Sequence, residues 1–212
     1  MIQKQITNIL KDLLKSDKLD DFKNQIKIIK DKLTSLNCEF TDCGKNGVTC
    51  VIGKKNDKKA FLLRADMDAL PVKEASGLDF ACDNGNMHAC GHDMHTAMLL
   101  GAAKLLKKYE AEMKCNVKLM FQPAEETLEG AVDMIENGIL DGVDEAVMLH
   151  VITSMDMPSG TVIIGSPGAG APACDHFTIE IQGKACHGSA PWNGVDSLLI
   201  ASQTLNALQV LQ

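Results

Sequence analysis

The nine residues from Met87 to His95 hold the densest group of metal-binding side chains in this sequence. The stretch reads Met-His-Ala-Cys-Gly-His-Asp-Met-His, with three imidazoles, one thiol and one carboxylate. Thiolate, neutral imidazole and carboxylate groups are the usual protein ligands of divalent transition metals. Cys90 and His92 flank Gly91, so a non-helical backbone can direct both side chains at one ion. The alternative to a metal site is a polar helix start with an incidental thiol. A metal site would require further ligands from elsewhere in the chain.

Polar side chains suited to binding or orienting a metal follow three predicted strands. The strands are predicted at residues 60–64, 117–121 and 146–149. The residues that follow or end them are Asp66, Asp68, Glu125, Glu126 and His150. In open α/β sheets, ligands bind beyond the carboxyl ends of the strands. The sequence therefore predicts that these side chains share one edge of a sheet with the Cys/His stretch.

Strand and helix patterns alternate along most of the chain. Helical periodicity covers residues 2–36 with a break near 16–20, and it returns at 94–106, 130–140 and 196–211. A further short strand is predicted at 50–52. This alternation predicts an α/β fold whose mostly parallel or mixed sheet is sandwiched by helices.

A glycine-rich segment, residues 165–172, separates this pattern from a different one. Alternating apolar and polar residues at 177–181 predict a half-buried strand, and the helix at 196–211 runs to the last residue without a stop signal. We therefore predict a metal-binding domain over residues 1–170 and the beginning of a second domain over 171–212.

Composition narrows the possible partners. The formal net charge is −7, which argues against nucleic acid or an anionic membrane surface as a partner. No apolar run reaches the roughly 18 residues that a membrane-spanning helix needs. The N-terminus lacks the pattern of a signal peptide. The eight cysteines are scattered without a Cys-x-x-Cys pair, so we expect a reduced, cytoplasmic protein.

Two adjacent glutamates offer the chemistry of a metal hydrolase. One carboxylate can bind the ion while the other takes a proton from water and passes it on. Taken alone, Glu125 and Glu126 are more typical of a solvated acidic turn, and only the buried strand before them and the Cys/His stretch make the two interpretations equal. His150 alone is more typical of a hydrogen-bonded histidine in the core or at the sheet edge than of a ligand, and the spacing alone makes His187 an ordinary loop histidine. Asp66 and Asp68 fit either imidazole-orienting carboxylates or a turn before Pro71.

Five segments together resemble one enzyme family. They are LLRADMDALPV at 62–72, NGNMHACGHDMHTAMLLGAAKLL at 84–106, FQPAEE at 121–126, LHV at 149–151 and GKACHGSAP at 183–191. In this order they resemble the amidohydrolase branch of the dinuclear metallopeptidase/aminoacylase superfamily. That branch includes hippurate hydrolases, N-acetyl-diaminopimelate deacetylases and auxin-conjugate hydrolases. The resemblance extends over about residues 60–212, and its most specific string is Met-His-Ala-Cys-Gly-His-Asp.

The resemblance implies a catalytic α/β domain and a smaller ferredoxin-like lid through which the full-length protein forms a homodimer. Two divalent ions (Mn²⁺, Zn²⁺, Co²⁺ or Ni²⁺) would be bound by Cys90, His92, Glu126 and His150. Glu125 would be the general base for a metal-activated water that cleaves the amide of an N-acyl-amino acid. The remaining roles fall to His187, which would stabilise the oxyanion from the lid, and to Asp68, which would orient a ligand.

The sequence departs from the family pattern at both ends. The usual His…Pro-Glu-Leu-Ser segment is not recognisable in residues 1–40, and the family has roughly as much chain again after Gln212, including a further histidine ligand. We therefore expect a fragment that need not be active by itself. Two alternatives remain, namely a non-catalytic fragment that binds metal or dimerises and, less favoured, a hydrolase with Cys90 as nucleophile.

Overall fold

The computed structural model describes residues 21–53, 59–153, 155–168, 170 and 173–211. The helical pattern predicted before residue 21 lies outside this range. The chain divides into a first unit that ends at Asp156 and a second unit that begins at Met157. The domain boundary at residues 170–171 stays a prediction.

The first unit contains one five-stranded sheet. Its strands are β1 (Phe40–Cys43), β2 (Gly47–Ile52), β3 (Ala60–Asp66), β4 (Asn116–Gln122) and β5 (Val143–Met148). Their order across the sheet is β1-β2-β4-β3-β5. Strand β3 is parallel to both β4 and β5, whereas β2 is antiparallel to both β1 and β4. The mixed sheet confirms the predicted fold class, and β1 is a strand that the sequence patterns did not predict.

Helices cover both faces of this sheet. They are α1 (Asp21–Ser35), α2 (His92–Lys108) and α3 (Gly130–Glu136). Side chains of α1 and α2, including Ile29 and Leu100, join the larger core cluster with Leu119 and Phe121 of β4. Met120 of the same strand belongs to a second cluster.

That second cluster also contains Met134 of α3. Successive side chains of a strand point to opposite faces, which explains why β4 contributes to both clusters. The near-continuous apolar run of β4 is therefore the expected pattern of a strand covered on both faces.

The second unit contains helix α4 (Ser197–Leu208). The Asp196 carboxylate caps it by accepting hydrogen bonds from the backbone N–H groups of Leu198 and Leu199. The strand predicted at residues 177–181 is not formed. Phe177 is 69% exposed, and residues 173–182 have no ladder partner among the residues that the structure describes. A strand requires such a partner for its backbone hydrogen bonds.

None of the described helices combines the length and the apolar character that crossing a membrane requires.

Candidate metal centre

Three parallel strands bring the predicted site residues of the first unit to one edge of the sheet. Strand β3 ends at Asp66, β4 at Gln122 and β5 at Met148. Because these strands are parallel, the segments that follow them begin on the same side. Helix α2 also begins here, with His92 as its first residue. The sequence prediction of a shared edge agrees with this topology.

His92 lies at the centre of this edge and is almost fully buried. Its Nδ1 lies 3.1 Å from both the carbonyl oxygen and Oδ1 of Asp68, so this nitrogen carries the proton and donates. Its Nε2 faces carboxylate oxygens of Asp66 at 3.6 Å, Glu126 at 3.8 Å and Glu125 at 3.9 Å. These separations exceed hydrogen-bond distance. The Nε2 lone pair is therefore directed at a group of carboxylates and is bonded to none of them.

The distances around His92 Nε2 suit a metal ion. Zinc binds nitrogen and carboxylate oxygen at about 2.0–2.2 Å, and two such ligands in tetrahedral geometry lie roughly 3.3–3.6 Å apart. Both His92 Nε2 and Glu126 Oε1 are buried and have no hydrogen-bond partner. Buried polar atoms are normally paired, and a cation between these two atoms would satisfy both.

Cys90 and His150 form a second pair of candidate ligands. Cys90 Sγ lies 3.3 Å from His150 Nε2, and His150 Nδ1 donates to the carbonyl oxygen of Val151 at 2.7 Å. The Nε2 lone pair of His150 is thus available on the side of the thiol. Ligand atoms of Cys90, His92 and His150 all lie within 4.8 Å of one another, as do those of His92, Glu125 and Glu126.

The electrostatics of this edge favour a cation. Burial raises the pKa of the Cys90 thiol to about 11, and the Glu126 carboxylate adds to that shift. Burial also lowers the pKa of His92, but the Asp68 hydrogen bond and the nearby carboxylates outweigh it and raise that pKa overall. A bound divalent ion reverses this situation, because it favours the thiolate and the neutral imidazole.

Asp68 joins two parts of the site. Its Oδ1 accepts from His92, and its Oδ2 accepts the backbone N–H of Glu126 at 3.0 Å. Burial raises the pKa of Asp68, yet the hydrogen bonds from His92 and from the backbone of Glu126 hold it below its usual value. The carboxylate therefore stays ionised and fixes His92 relative to the loop that carries both glutamates.

His95 has a role in the structure that the sequence did not reveal. The spacing suggests that it only begins a helix, but the side chain is buried. Its Nδ1 lies 2.5 Å from Asp66 Oδ1, and its Nε2 accepts the backbone N–H of Val151 at 2.9 Å. The one sequence signal is its position three residues after His92, since helical residues at that spacing share a face.

His88 also lies beside the site. The side-chain amide of Gln25 in α1 contacts His88 Nε2, so this nitrogen accepts a hydrogen bond. Its lone pair is thereby occupied, which agrees with leaving His88 out of the predicted ligand set.

Two backbone features place these side chains. Gly91 has a φ of +84°, and a Cβ at this position would collide with the side chain of Val151. The glycine thus allows the Cys90–His92 turn to lie against the segment after His150. In the other loop, Ala124 has a φ of +50°, a conformation that costs an L-residue about 1–2 kcal/mol. This strained residue directly precedes Glu125.

The structure describes His187 within the second unit, and its predicted role at the metal centre stays a prediction. The backbone N–H of Ser189 donates to His187 Nδ1 at 3.2 Å, and the Ser189 hydroxyl lies 2.9 Å from the same nitrogen. His187 Nδ1 is therefore an acceptor, and the neutral ring carries its proton on Nε2.

A cleft of about 500 Å³ opens beside the site in the first unit. Asp68 and Glu126 contribute to its wall, together with Leu70, Pro71 and Thr127. This volume lies within the range of small-molecule pockets, about 300–1,000 Å³.

The sequence profile of peptidase family M20/M25/M40 matches residues 62–204. An N-acetyl-L-cysteine deacetylase of Bacillus subtilis is 46% identical over 168 residues, which are 79% of this chain and 40% of that protein. A hippurate hydrolase of Campylobacter jejuni is 41% identical over 187 residues, 86% of this chain and 48% of that protein. This chain belongs to the M20/M25/M40 peptidase family.

A solved structure supports the same relationship. It is a dinuclear metal-binding peptidase of the M20 family from Bacillus subtilis. The identity is 38% and the TM-score 0.64, over 70% of this chain and 43% of that one. The chain thus spans about half the length of the curated relatives that it matches.

Proposed function

We propose that this chain carries the metal-binding part of an amidohydrolase that cleaves N-acyl-amino acids. The observation that carries the proposal is the pair of buried, unpartnered atoms His92 Nε2 and Glu126 Oε1, which lie 3.8 Å apart. Relatives named for the hydrolysis of N-acetylcysteine and hippurate support the substrate class.

Two divalent ions would be held by His92 and Glu126 together with Cys90 and His150. Mn²⁺, Zn²⁺, Co²⁺ and Ni²⁺ all suit this set of imidazole, carboxylate and thiolate ligands. When bound, such ions polarise an amide carbonyl and lower the pKa of water. The family resemblance implies one further histidine ligand in addition to these four residues.

Glu125 is the proposed general base. Its side chain is 36% exposed, against 25% for Glu126, and its Oε2 lies near His92 without a hydrogen bond to it. A carboxylate in this position is free to accept a proton from water and deliver it to the leaving amide nitrogen. Glu126 is more enclosed, and Asp68 holds its backbone, which suits a ligand.

The substrate is proposed to occupy the cleft beside Asp68 and Glu126. Leu70 and Pro71 offer apolar surface to an acyl group or an amino-acid side chain. His187 is proposed to stabilise the oxyanion, and its free Nε2–H is the donor that this role needs. Dimerisation through the lid and a cytoplasmic location remain part of the same proposal.

Metal-dependent hydrolysis is the direct test. The purified chain is stripped with a chelator, reloaded with Mn²⁺ or Zn²⁺, and assayed for amino-acid release from N-acetyl and N-benzoyl amino acids. We expect release that disappears with chelator and returns with metal. Hydrolysis that persists in chelator and is lost in Cys90→Ser would contradict the proposal.

The half-length match to the relatives favours a second candidate, a non-catalytic fragment that binds metal. The hydrolysis assay separates the two, because this fragment would bind ions without releasing amino acid. The short distance between Cys90 and His150 fits a third, a cysteine nucleophile. Burial and the surrounding carboxylates oppose it, because they raise the pKa of the Cys90 thiol and such a thiol is a poor nucleophile at neutral pH.

A further inference from the structure

A chain of hydrogen bonds runs beneath the proposed metal centre from β3 to the segment after β5. Arg64 Nη1 donates to Asp66 Oδ2 at 2.7 Å, and the other oxygen of Asp66 accepts from His95 Nδ1 at 2.5 Å. His95 Nε2 then accepts the backbone N–H of Val151 at 2.9 Å. The side chains of Asp66 and His95 are each only 1% exposed. These contacts link three separate parts of the chain.

The two contacts of His95 define its protonation. A backbone N–H can only donate, so Nε2 must present a lone pair, and the proton of the neutral ring must lie on Nδ1. Both ring nitrogens are then occupied by protein partners. His92 and His150 differ from His95, because their Nδ1 atoms donate to oxygen and neither Nε2 accepts a backbone N–H; the Nε2 of His150 faces the candidate ligand Cys90 instead.

Asp66, His92 and His95 are also close enough together to be considered a metal site. Two observations oppose that reading. The lone pair that His95 would offer is used by Val151, and Asp66 already makes an ion pair with Arg64. The group is better explained as a hydrogen-bonded support for its neighbours.

Those neighbours include His150. Val151 is its next residue in the chain, and the rings of His95 and His150 lie edge to face with centroids 4.7 Å apart. His150 itself is exposed and follows a strand whose residues are almost all exposed. The hydrogen bond from Val151 to His95 therefore attaches an exposed segment to the buried part of the site.

We propose that His95 is a positioning residue that fixes the His150 segment through the Val151 N–H and does not bind the metal. The inference rests on the proposed metal centre, because it assigns His150 a task that requires accurate placement. Groups that orient metal ligands typically contribute about 10–100-fold to metal affinity.

Two substitutions separate the two hydrogen bonds of His95. The amide nitrogen of asparagine lies as many bonds from Cα as Nδ1 does, so His95→Asn can keep the bond to Asp66 and loses the acceptor for Val151. The amide oxygen of glutamine matches Nε2 in the same way, so His95→Gln can keep that acceptor. Mn²⁺ and Zn²⁺ affinities of the chain are measured by titration calorimetry, with circular dichroism to check folding.

We expect His95→Asn to weaken metal binding by about 10–100-fold and His95→Gln to recover most of that loss. A metal-ligand role predicts losses of similar size in both variants, because neither amide replaces an imidazole lone pair. Loss of affinity in His95→Gln as large as in His95→Asn would therefore overturn the inference.

A second measurement needs neither metal nor substitution. Imidazole ¹⁵N chemical shifts of the metal-free chain report which nitrogen of His95 carries the proton. We expect the Nδ1–H form, together with slow hydrogen exchange at the Val151 amide. An Nε2–H form, or fast exchange at Val151, would overturn the inference even if the variants failed to fold.

These readouts also separate failure of this inference from failure of the proposed function. If the chain binds no metal but His95 has the expected proton and Val151 is protected, the positioning geometry stands and the metal centre is wrong. If metal binds and His95 has the other tautomer, only the positioning role is wrong.

Discussion

His92 Nε2 and Glu126 Oε1 lie 3.8 Å apart, both buried and neither with a hydrogen-bond partner. Leaving a buried polar atom unsatisfied costs about 1–3 kcal/mol. The same edge holds the carboxylates of Asp66, Asp68 and Glu125, with Arg64 paired to Asp66. A divalent cation would satisfy the two unpaired atoms and offset the repulsion between the carboxylates.

Removing the charge of Glu126 should therefore have opposite effects with and without metal. We expect Glu126→Gln to raise the melting temperature of the metal-free chain, because one buried, unsatisfied charge is lost. The same change should reduce the stabilisation produced by saturating Mn²⁺, which for the unaltered chain is about 2.7 kcal/mol at 100 times the Kd. Thermal unfolding with chelator and with Mn²⁺ measures both effects.

Glu129→Gln is the matched control, since Glu129 is an exposed residue of the same loop. This substitution should leave the rise in melting temperature produced by Mn²⁺ unchanged. If Glu126→Gln also left the rise in melting temperature with Mn²⁺ unchanged, Glu126 would not be a ligand.

The two neighbouring glutamates should differ in function. We expect Glu125→Gln to keep metal affinity and to lower kcat for N-acyl-amino acid hydrolysis by about 10²–10⁴-fold, the usual contribution of a general base. Calorimetry and steady-state kinetics on the same preparations make the comparison. Turnover close to that of the unaltered protein would rule out Glu125 as the base.

Cys90 should give a spectroscopic signature of metal binding. Loading the chain with Co²⁺ should produce a thiolate-to-metal charge-transfer band, because a coordinating thiol is deprotonated despite its raised pKa. Cys90→Ser should abolish the band, whereas Cys115→Ser, at an exposed cysteine, should preserve it. A band that survives Cys90→Ser would assign the sulfur ligand to another cysteine.

Gly91 should be intolerant of any side chain. Gly91→Ala combines a left-handed backbone conformation with a collision against Val151. Gly85→Ala has a similar φ of +92° but open space around the new Cβ, so it should pay only the backbone cost of about 1–2 kcal/mol. Urea unfolding should show a further loss of about 1–3 kcal/mol for Gly91→Ala, typical of overpacking.

A double substitution tests the cause of that further loss. Val151→Ala removes the group that the new Cβ would meet, so Gly91→Ala should cost less in the Val151→Ala background than alone. Equal costs in both backgrounds would show that the contact is irrelevant to stability.

The sequence was sufficient to predict the shared sheet edge, because the carboxyl ends of parallel strands lie at the same edge of a sheet. Asp66, Glu125 and His150 come from distant positions, yet each ends or follows a strand of the same parallel group. Strand β1 was missed because its short sequence, FTDC, has one buried position and three that are half-buried or exposed. The strand predicted at 177–181 failed because periodicity indicates which face is apolar but does not supply a pairing partner.

The roles of the individual histidines could not be predicted from the sequence. His92, His95 and His150 have the same side chain, and only the partners of each ring nitrogen separate the candidate ligands from the support. The Val151 N–H occupies Nε2 of His95 and so identifies this ring as a support. A hydrogen bond from a backbone N–H cannot be predicted from residue types, because almost every residue has that group. The resemblance to a family supplied the candidate ligand set, while the orientation of each ring came from the fold.

Direct metal binding by the chain tests the central claim. Native mass spectrometry and titration calorimetry with Mn²⁺ and Zn²⁺ are compared for the unaltered chain, His92→Ala, and His176→Ala as a control at an exposed histidine of the second unit. We predict that the unaltered chain and His176→Ala bind metal alike, and that His92→Ala loses most of the affinity. A chain that retains no divalent ion, or one whose affinity is unaffected by His92→Ala, would contradict the account.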